Sequence, residues 1–200
     1  MKNILKEIRI SLIATLSLAV ILCGIYPLAV RVMARVLFPT KANGSLITIS
    51  GKIVGSSLIA QGFTGLKYFH PRPSAAGRGY DAASSGGSNL GPLSKKLIDE
   101  VRRRVVDYRT ENSLASDVPV PADAITASAS GLDPHISLNN ALLQTPRVAR
   151  ARGLSETTVR QQVESATEGR FLGILGEPRV NVLLLNLTLD ENDRTNHGQR

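Results

Sequence analysis

The sequence predicts an α+β chain: a single N-terminal transmembrane helix followed by one α+β domain. Three observations carry this. Residues 10–30 contain no charged side chain. Short β-branched runs follow, bounded by Gly and Ser. Helical stripes with capping residues then alternate with Pro- and Gly-rich stretches, without an internal repeat.

The apolar run Ile10–Val30, with Leu16, Gly24 and Pro27 inside it, has as a helix about the ~30 Å needed to cross a hydrocarbon core. Residues 1–9 form a short basic N-terminus, and the helix has room to extend to about residue 37. Lys2, Lys6 and Arg9 suit the start of a secretory signal, but such signals have apolar stretches of only ~7–15 residues and end at a small-residue cleavage site. Here the run is longer and exits into Arg31 and Arg35; Leu22 before Cys23 argues against a lipoprotein signal. An uncleaved anchor is the reading adopted. Pro27 is placed to kink the helix near its exit, or is simply a proline of the kind membrane helices tolerate. Ser11, Thr15, Ser17 and Gly24 allow close contact with a partner helix, or face lipid with their hydroxyls bonded to the backbone. Flanking charge is nearly tied, with the α-amino group favouring an inside N-terminus.

The net charge is +8, but Lys2, Lys6, Arg9, Arg31, Arg35 and Lys41 against Glu7 alone place +5 of it in the first 41 residues. Basic residues beside a span suit anionic headgroups. Arg102, Arg103 and Arg104 lie among Asp99, Glu100 and Asp107, which reads as a solvated helix face. With no Trp and 4% aromatic residues, nucleic-acid binding is excluded as the reading. The only cysteine lies in the span, so the following domain has no internal disulfide.

The domain is expected over residues 40–190. A polar linker from Thr40 to Ser45 precedes strands at Leu46–Ile49 and from Lys52 to Ile59, joined by Ser50-Gly51. From Tyr68 to Pro92 the chain is a long Pro/Gly/Ser/Ala loop, either disordered or functional. Leu97, Val101, Val105 and Tyr108 mark one face of a helix from Leu93 to Leu114, with Ser94 as a cap. Ser137 opens a short helix that Pro146 ends or restarts, with Thr145 as the cap of a second helix through Arg152 and Gly153 as its stop. Ser155 opens another, ending at Gly169. Val180 to Leu189 is almost wholly apolar and is expected as a doubly covered strand. Residues 191–200 read as a polar, disordered tail.

Conventional catalytic patterns are missing. The sequence holds no phosphate loop, no third glycine after Gly77-x-Gly79 and no G-x-S-x-G elbow, and His70, His135 and His197 are dispersed. Two segments are over-specified for mere connection. In the first, Arg72 and Ser74 lead into Gly86, Gly87, Ser88, Asn89 and Gly91; its glycines permit backbone amides to line an ion site or pack on a partner, and an Ω-like loop held by its own hydroxyls is the plainer alternative. The second runs from Thr126 to Ser137. There Asp133 and His135 invite comparison with a serine nucleophile system through Ser88 or Ser128, while the plainer reading is an Asx-type turn at Asp133 with His135 setting the helix entry.

At these segments the chain resembles a known family. The blocks 72–75, 85–92, 126–128, 131–137, 147–154 and 172–183 occur in order after one N-terminal span, and they closely resemble the C subunit of the bacterial potassium-transporting Kdp P-type ATPase. The departures are small: Asp81 where Asn is expected, and Leu93-Ser94 after Gly91-Pro92. The tail from Glu191 matches nothing. The resemblance implies an accessory and assembly subunit of an ATP-driven potassium uptake complex, without catalysis of its own. It implies a single-pass protein of the bacterial inner membrane, with a cytoplasmic N-terminus and a periplasmic domain. Implied partners are a channel-like potassium-binding subunit, a P-type ATPase subunit and a small single-span subunit. ATP, Mg and K belong to the complex, and none is bound by this chain alone. Arg72, Ser74, Gly86, Gly87, Ser88, Asn89, Gly91, Asp133, His135, Glu177 and Arg179 become the partner-contact or structural candidates. Two alternatives stay open: a membrane-anchored periplasmic serine hydrolase, and a regulator that raises the pump's ATP affinity.

Overall fold

The computed structural model describes residues 2–198, with side chains described from Asn3 to Arg194. Two compact units divide after Val54.

The first unit opens with helix α1 (Lys2–Ala19), which continues through a π-helical segment, Val20–Ile25, into α2 (Tyr26–Leu37). Ser11 Oγ donates to the Glu7 carbonyl, so this hydroxyl is satisfied within the helix. The wide turn has a local cause. Pro27 has no N–H and its ring crowds the carbonyl four residues back, and a π turn opens the helix just before it, with Tyr26 N–H reaching Ile21 O. The expected kink point is thus a bulge within a continuous helix. Residues 3–37 form one helix long and apolar enough to cross a membrane. A short helix α3 (Pro39–Ala42) follows, where a polar linker was expected. The strands β1 (Leu46–Ile49) and β2 (Lys52–Ser56) form a hairpin. Its two-residue turn has positive φ at both Ser50 and Gly51, as a type I′ turn requires.

The second unit mixes helices with one antiparallel sheet, giving the α+β class. Helix α4 (Lys95–Asn112) starts where Ser94 Oγ accepts from Leu97 N and ends at Ser113 in the left-handed region. A short helix α5 (Ala122–Ile125) and strand β3 (His135–Ser137) lead to α6 (Leu138–Arg152). Then come α7 (Glu156–Ser165), β4 (Thr167–Glu168), β5 (Arg179–Asn181) and α8 (Val182–Gly198). The sheet order is β3-β5-β4, with Ile136 opposite Val180 and Thr167 opposite the same valine. Phe69, Ile136, Val148, Val159, Val163, Val180, Leu185 and Leu189 form the apolar core.

Several expectations need correction. The helix capped by Ser137 runs through Pro146 without a break. Its neighbours Gln144, Thr145, Arg147 and Val148 are all buried, so tertiary contacts outweigh the one backbone bond a proline removes. The run from Val180 to Leu189 is a strand only as far as Asn181 and then a helix. Asn181 Oδ1 accepts from Leu184 N, capping the new helix, and Val182, Leu183, Leu185 and Leu189 are sealed in the interior. Helix α7 ends at Ala166 rather than Gly169, because Thr167 passes directly into β4. The polar tail is helical through residues 191–194, where Arg152 reaches back to Asp190 (2.9 Å) and Asp193 (2.5 Å). The side chains of 195–198 and residues 199–200 lie outside the described residues.

Candidate functional site

The long loop after Tyr68 is ordered by contact with the segment before β3. Ser74 Oγ donates to Gly131 O (2.6 Å) and accepts from Ala76 N and Tyr80 N. Gly86 N donates to Ser130 O at 2.9 Å. The approach is close enough to exclude side chains: a Cβ on Gly131, whose φ is +68°, would lie 2.6 Å from Gly86 O, and one on Gly87 would lie 2.9 Å from Ala129 O. Glycine is therefore a packing requirement at these two positions. Ser88, Asn89 and Gly91 stay on the exposed side of the loop, with Asn89 at φ 51°.

Five candidates from distant parts of the chain converge on one open depression. Arg72, Asp133, His135, Glu177 and Arg179 line it together with Asp123 and Ser137, around ≈ 520 Å³. The pairing of β3 with β5 brings His135–Ser137 beside Arg179. Arg72 Nη1 donates to Asp133 Oδ2 at 3.1 Å, and His135 N donates to Asp133 Oδ1 at 3.0 Å, the Asx turn expected there. The His135 ring and backbone N–H hold the Asp133 carboxyl below the ordinary carboxylate range, aided by Arg72 and opposed by burial. On the rim, Arg179 pairs with Glu168 and Arg170 with Glu177. The depression presents both signs of charge in fixed positions, a surface suited to complementary charged groups.

The serine hydrolase reading finds no support in this geometry. His135 Nδ1 faces Asp133 at 3.4 Å and its Nε2 faces Glu168 at 3.8 Å, so both ring nitrogens are turned to carboxylates. Ser128 Oγ is buried and accepts from Asp133 N.

Behind the depression lies a polar network that the sequence reading missed. Asp123 accepts from Ser137 N, Ser137 Oγ and Asn140 Nδ2. Asn140 Oδ1 accepts from Tyr108 OH and from Gln144 Nε2. Gln144 reads both backbone groups of His70, and Asn186 reads both of Phe69. Two side-chain amides thus hold an extended dipeptide much as a neighbouring strand would. Arg147 completes the network by donating to Asn112, Gln144, Leu66 O and Tyr68 O. Burial pulls its pKa down, opposed by Glu111 and Tyr108. Residues 140, 144 and 147 share one helix face, and that spacing of Asn, Gln and Arg was the available signal.

This network floors a cleft of ≈ 220 Å³ bounded by His70, Tyr80, Arg104, Tyr108 and Glu111. His70 Nδ1 lies 3.3 Å from Glu111 and its Nε2 lies 3.2 Å from Gly65 O. Burial and then Arg147 lower the His70 pKa, against the raising effect of Glu111. Burial raises the pKa of Tyr80 and, far more, of Tyr108, so both phenols stay neutral donors.

Comparison with known proteins matches residues 8–191 to a family described as KdpC, K+-transporting ATPase, c chain. A potassium-transporting ATPase KdpC subunit from Koribacter versatilis is 51% identical over 189 residues, covering 94% of each chain. One from Nitratidesulfovibrio vulgaris is 54% identical over 187 residues, 93% of this chain and 94% of the relative. One from Mycobacterium tuberculosis is 55% identical over 166 residues, 83% and 88% respectively.

Proposed function

The chain belongs to the KdpC family of K+-transporting ATPase c chains, and on that premise we propose that it is the accessory and assembly subunit of an ATP-driven potassium uptake complex. The observation that carries this reading is the family match over residues 8–191, which takes in both the apolar helix and the unit beyond it. The chain crosses the bacterial inner membrane once, with its N-terminus cytoplasmic and the unit from Gly55 outside. It joins a channel-like potassium-binding subunit, a P-type ATPase subunit and a small single-span subunit. ATP and Mg are handled by the ATPase subunit and K by the channel-like one, while this chain performs no chemical step. The mixed-charge depression around Arg72, Asp133 and His135 supplies contacts to a partner, and the loop from Gly86 to Gly91 supplies more.

The test is potassium-stimulated ATP hydrolysis by the complex assembled with the full chain, or with a chain ending after residue 54. The truncated chain is expected to abolish it. Undiminished hydrolysis would contradict the proposal. ATP titration of complexes with and without the chain tests the affinity-raising alternative, which an unchanged half-saturation would exclude.

A further inference from the structure

The β4–β5 connection ends in a tip whose side chains contradict a water-facing setting. Phe171 is 68% exposed, Leu172 77%, Ile174 76% and Leu175 56%. Scattered apolar residues are ordinary on a surface, but four on one five-residue tip form a patch that calls for an apolar neighbour. We propose that Phe171–Leu175 dips into the headgroup–acyl boundary of the bilayer that holds the apolar helix. The inference rests on the membrane attachment in the reading above, not on potassium transport.

Two features favour lipid over a protein partner as the occupant. The first is the backbone. Phe171 N donates to Leu175 O, Gly173 N to Arg170 O, and Ile174 N and Leu175 N both to Phe171 O. Three of the five tip amides are thus satisfied within the tip and a fourth by the adjoining Arg170 carbonyl, which is what an apolar medium demands of a backbone. A tip built to pair with a partner's strand would keep those donors free. The second is charge. No ionisable residue lies between Arg170 and Glu177, and these two pair at 2.8 Å across the base of the loop. Arg179 and Glu168 pair at 2.9 Å further down. Apolar tip and charged base together match the polarity gradient of a membrane interface.

The experiment places an environment-sensitive fluorophore on the full chain in lipid nanodiscs, using Leu172→Cys or Ile174→Cys in a Cys23→Ser background. Ile13→Cys reports the span, and Leu93→Cys reports an apolar side chain elsewhere that is 92% exposed. The proposal expects blue-shifted emission at Leu172 and Ile174, lost when the acyl chains are brominated, and no such loss at Leu93. Quenching of the tip labels by aqueous iodide alone overturns it. Tip labels that become shielded only in the assembled complex, with no response to brominated lipid, make a partner subunit the occupant and also overturn it. Absence of lipid quenching at Ile13 would remove membrane attachment itself, and both readings would fall together.

Discussion

In the N-terminal helix every large apolar side chain from Ile4 to Phe38 is exposed, whereas in the unit beginning at Gly55 the side chains of Asn140, Gln144, Thr145 and Asn186 are each 1% exposed. One region turns apolar groups outward and the other turns polar side chains inward. Each is stable for the same reason: the polar groups it turns to an apolar medium have their hydrogen bonds met by other groups of the chain. The helix bonds its own backbone and expects lipid around it. The buried amides find donors and acceptors on each other and on the Phe69-His70 backbone. The contrast teaches that polarity alone does not mark the outside of this protein; hydrogen-bond completion does.

The largest way to break the contrast is Arg147→Met. It removes one cation and strips a donor from four acceptors, of which Gln144 Oε1 alone keeps another in His70 N–H, at an expected cost of about 3–5 kcal/mol, read as a lower urea midpoint for the second unit. Arg147→Lys should recover little, because one ammonium cannot span that fork. In the apolar region, Val20→Arg sets a charge at mid-span and should cost about 3 kcal/mol, read as a reduced membrane-integrated fraction. Next, Asn186→Leu strands the N–H and C=O of Phe69 and should cost about 2–3 kcal/mol by the same denaturation measurement. Gly131→Ala, forced into positive φ against Gly86 O, should cost about 1–3 kcal/mol, while Gly91→Ala, with nothing within 4 Å, should leave the urea midpoint unchanged.

The smallest effect is on pH. The folded His70 pKa lies below its ordinary 6.5, so its contribution is complete above that value and is lost as pH falls through the lower folded pKa. Thermal melting between pH 8 and pH 5 should therefore show a decline that His70→Asn flattens. Asp133 acts likewise further down, its contribution being lost as pH falls through its own lowered value.

What could be read from the sequence was local. The Ser50-Gly51 hairpin, the Ser94, Ser137 and Ser155 caps and the Gly153 stop depend on neighbouring residues alone. The run from Val180 was misread because an unbroken apolar stretch looks the same in a buried helix and a buried strand, and only Asn181 signalled the switch. Arg72, Asp133, His135, Glu177 and Arg179 could each be named from motif blocks, but their convergence depends on β3 pairing with β5, two segments more than forty residues apart. Gln144 and Arg147 escaped notice because polar residues on a helix are ordinarily its solvent face.

The proposed subunit joins its partners through the unit beyond Gly55 as well as through its span. Cross-linking tests it most directly: Asn89→Cys in a Cys23→Ser background, carried on the tagged full chain and activated in the co-purified complex. A covalent product with a partner subunit is expected, absent when Leu93→Cys carries the same reagent. Co-purification of the subunits with no product from Asn89, or purification of the tagged chain alone, would contradict it.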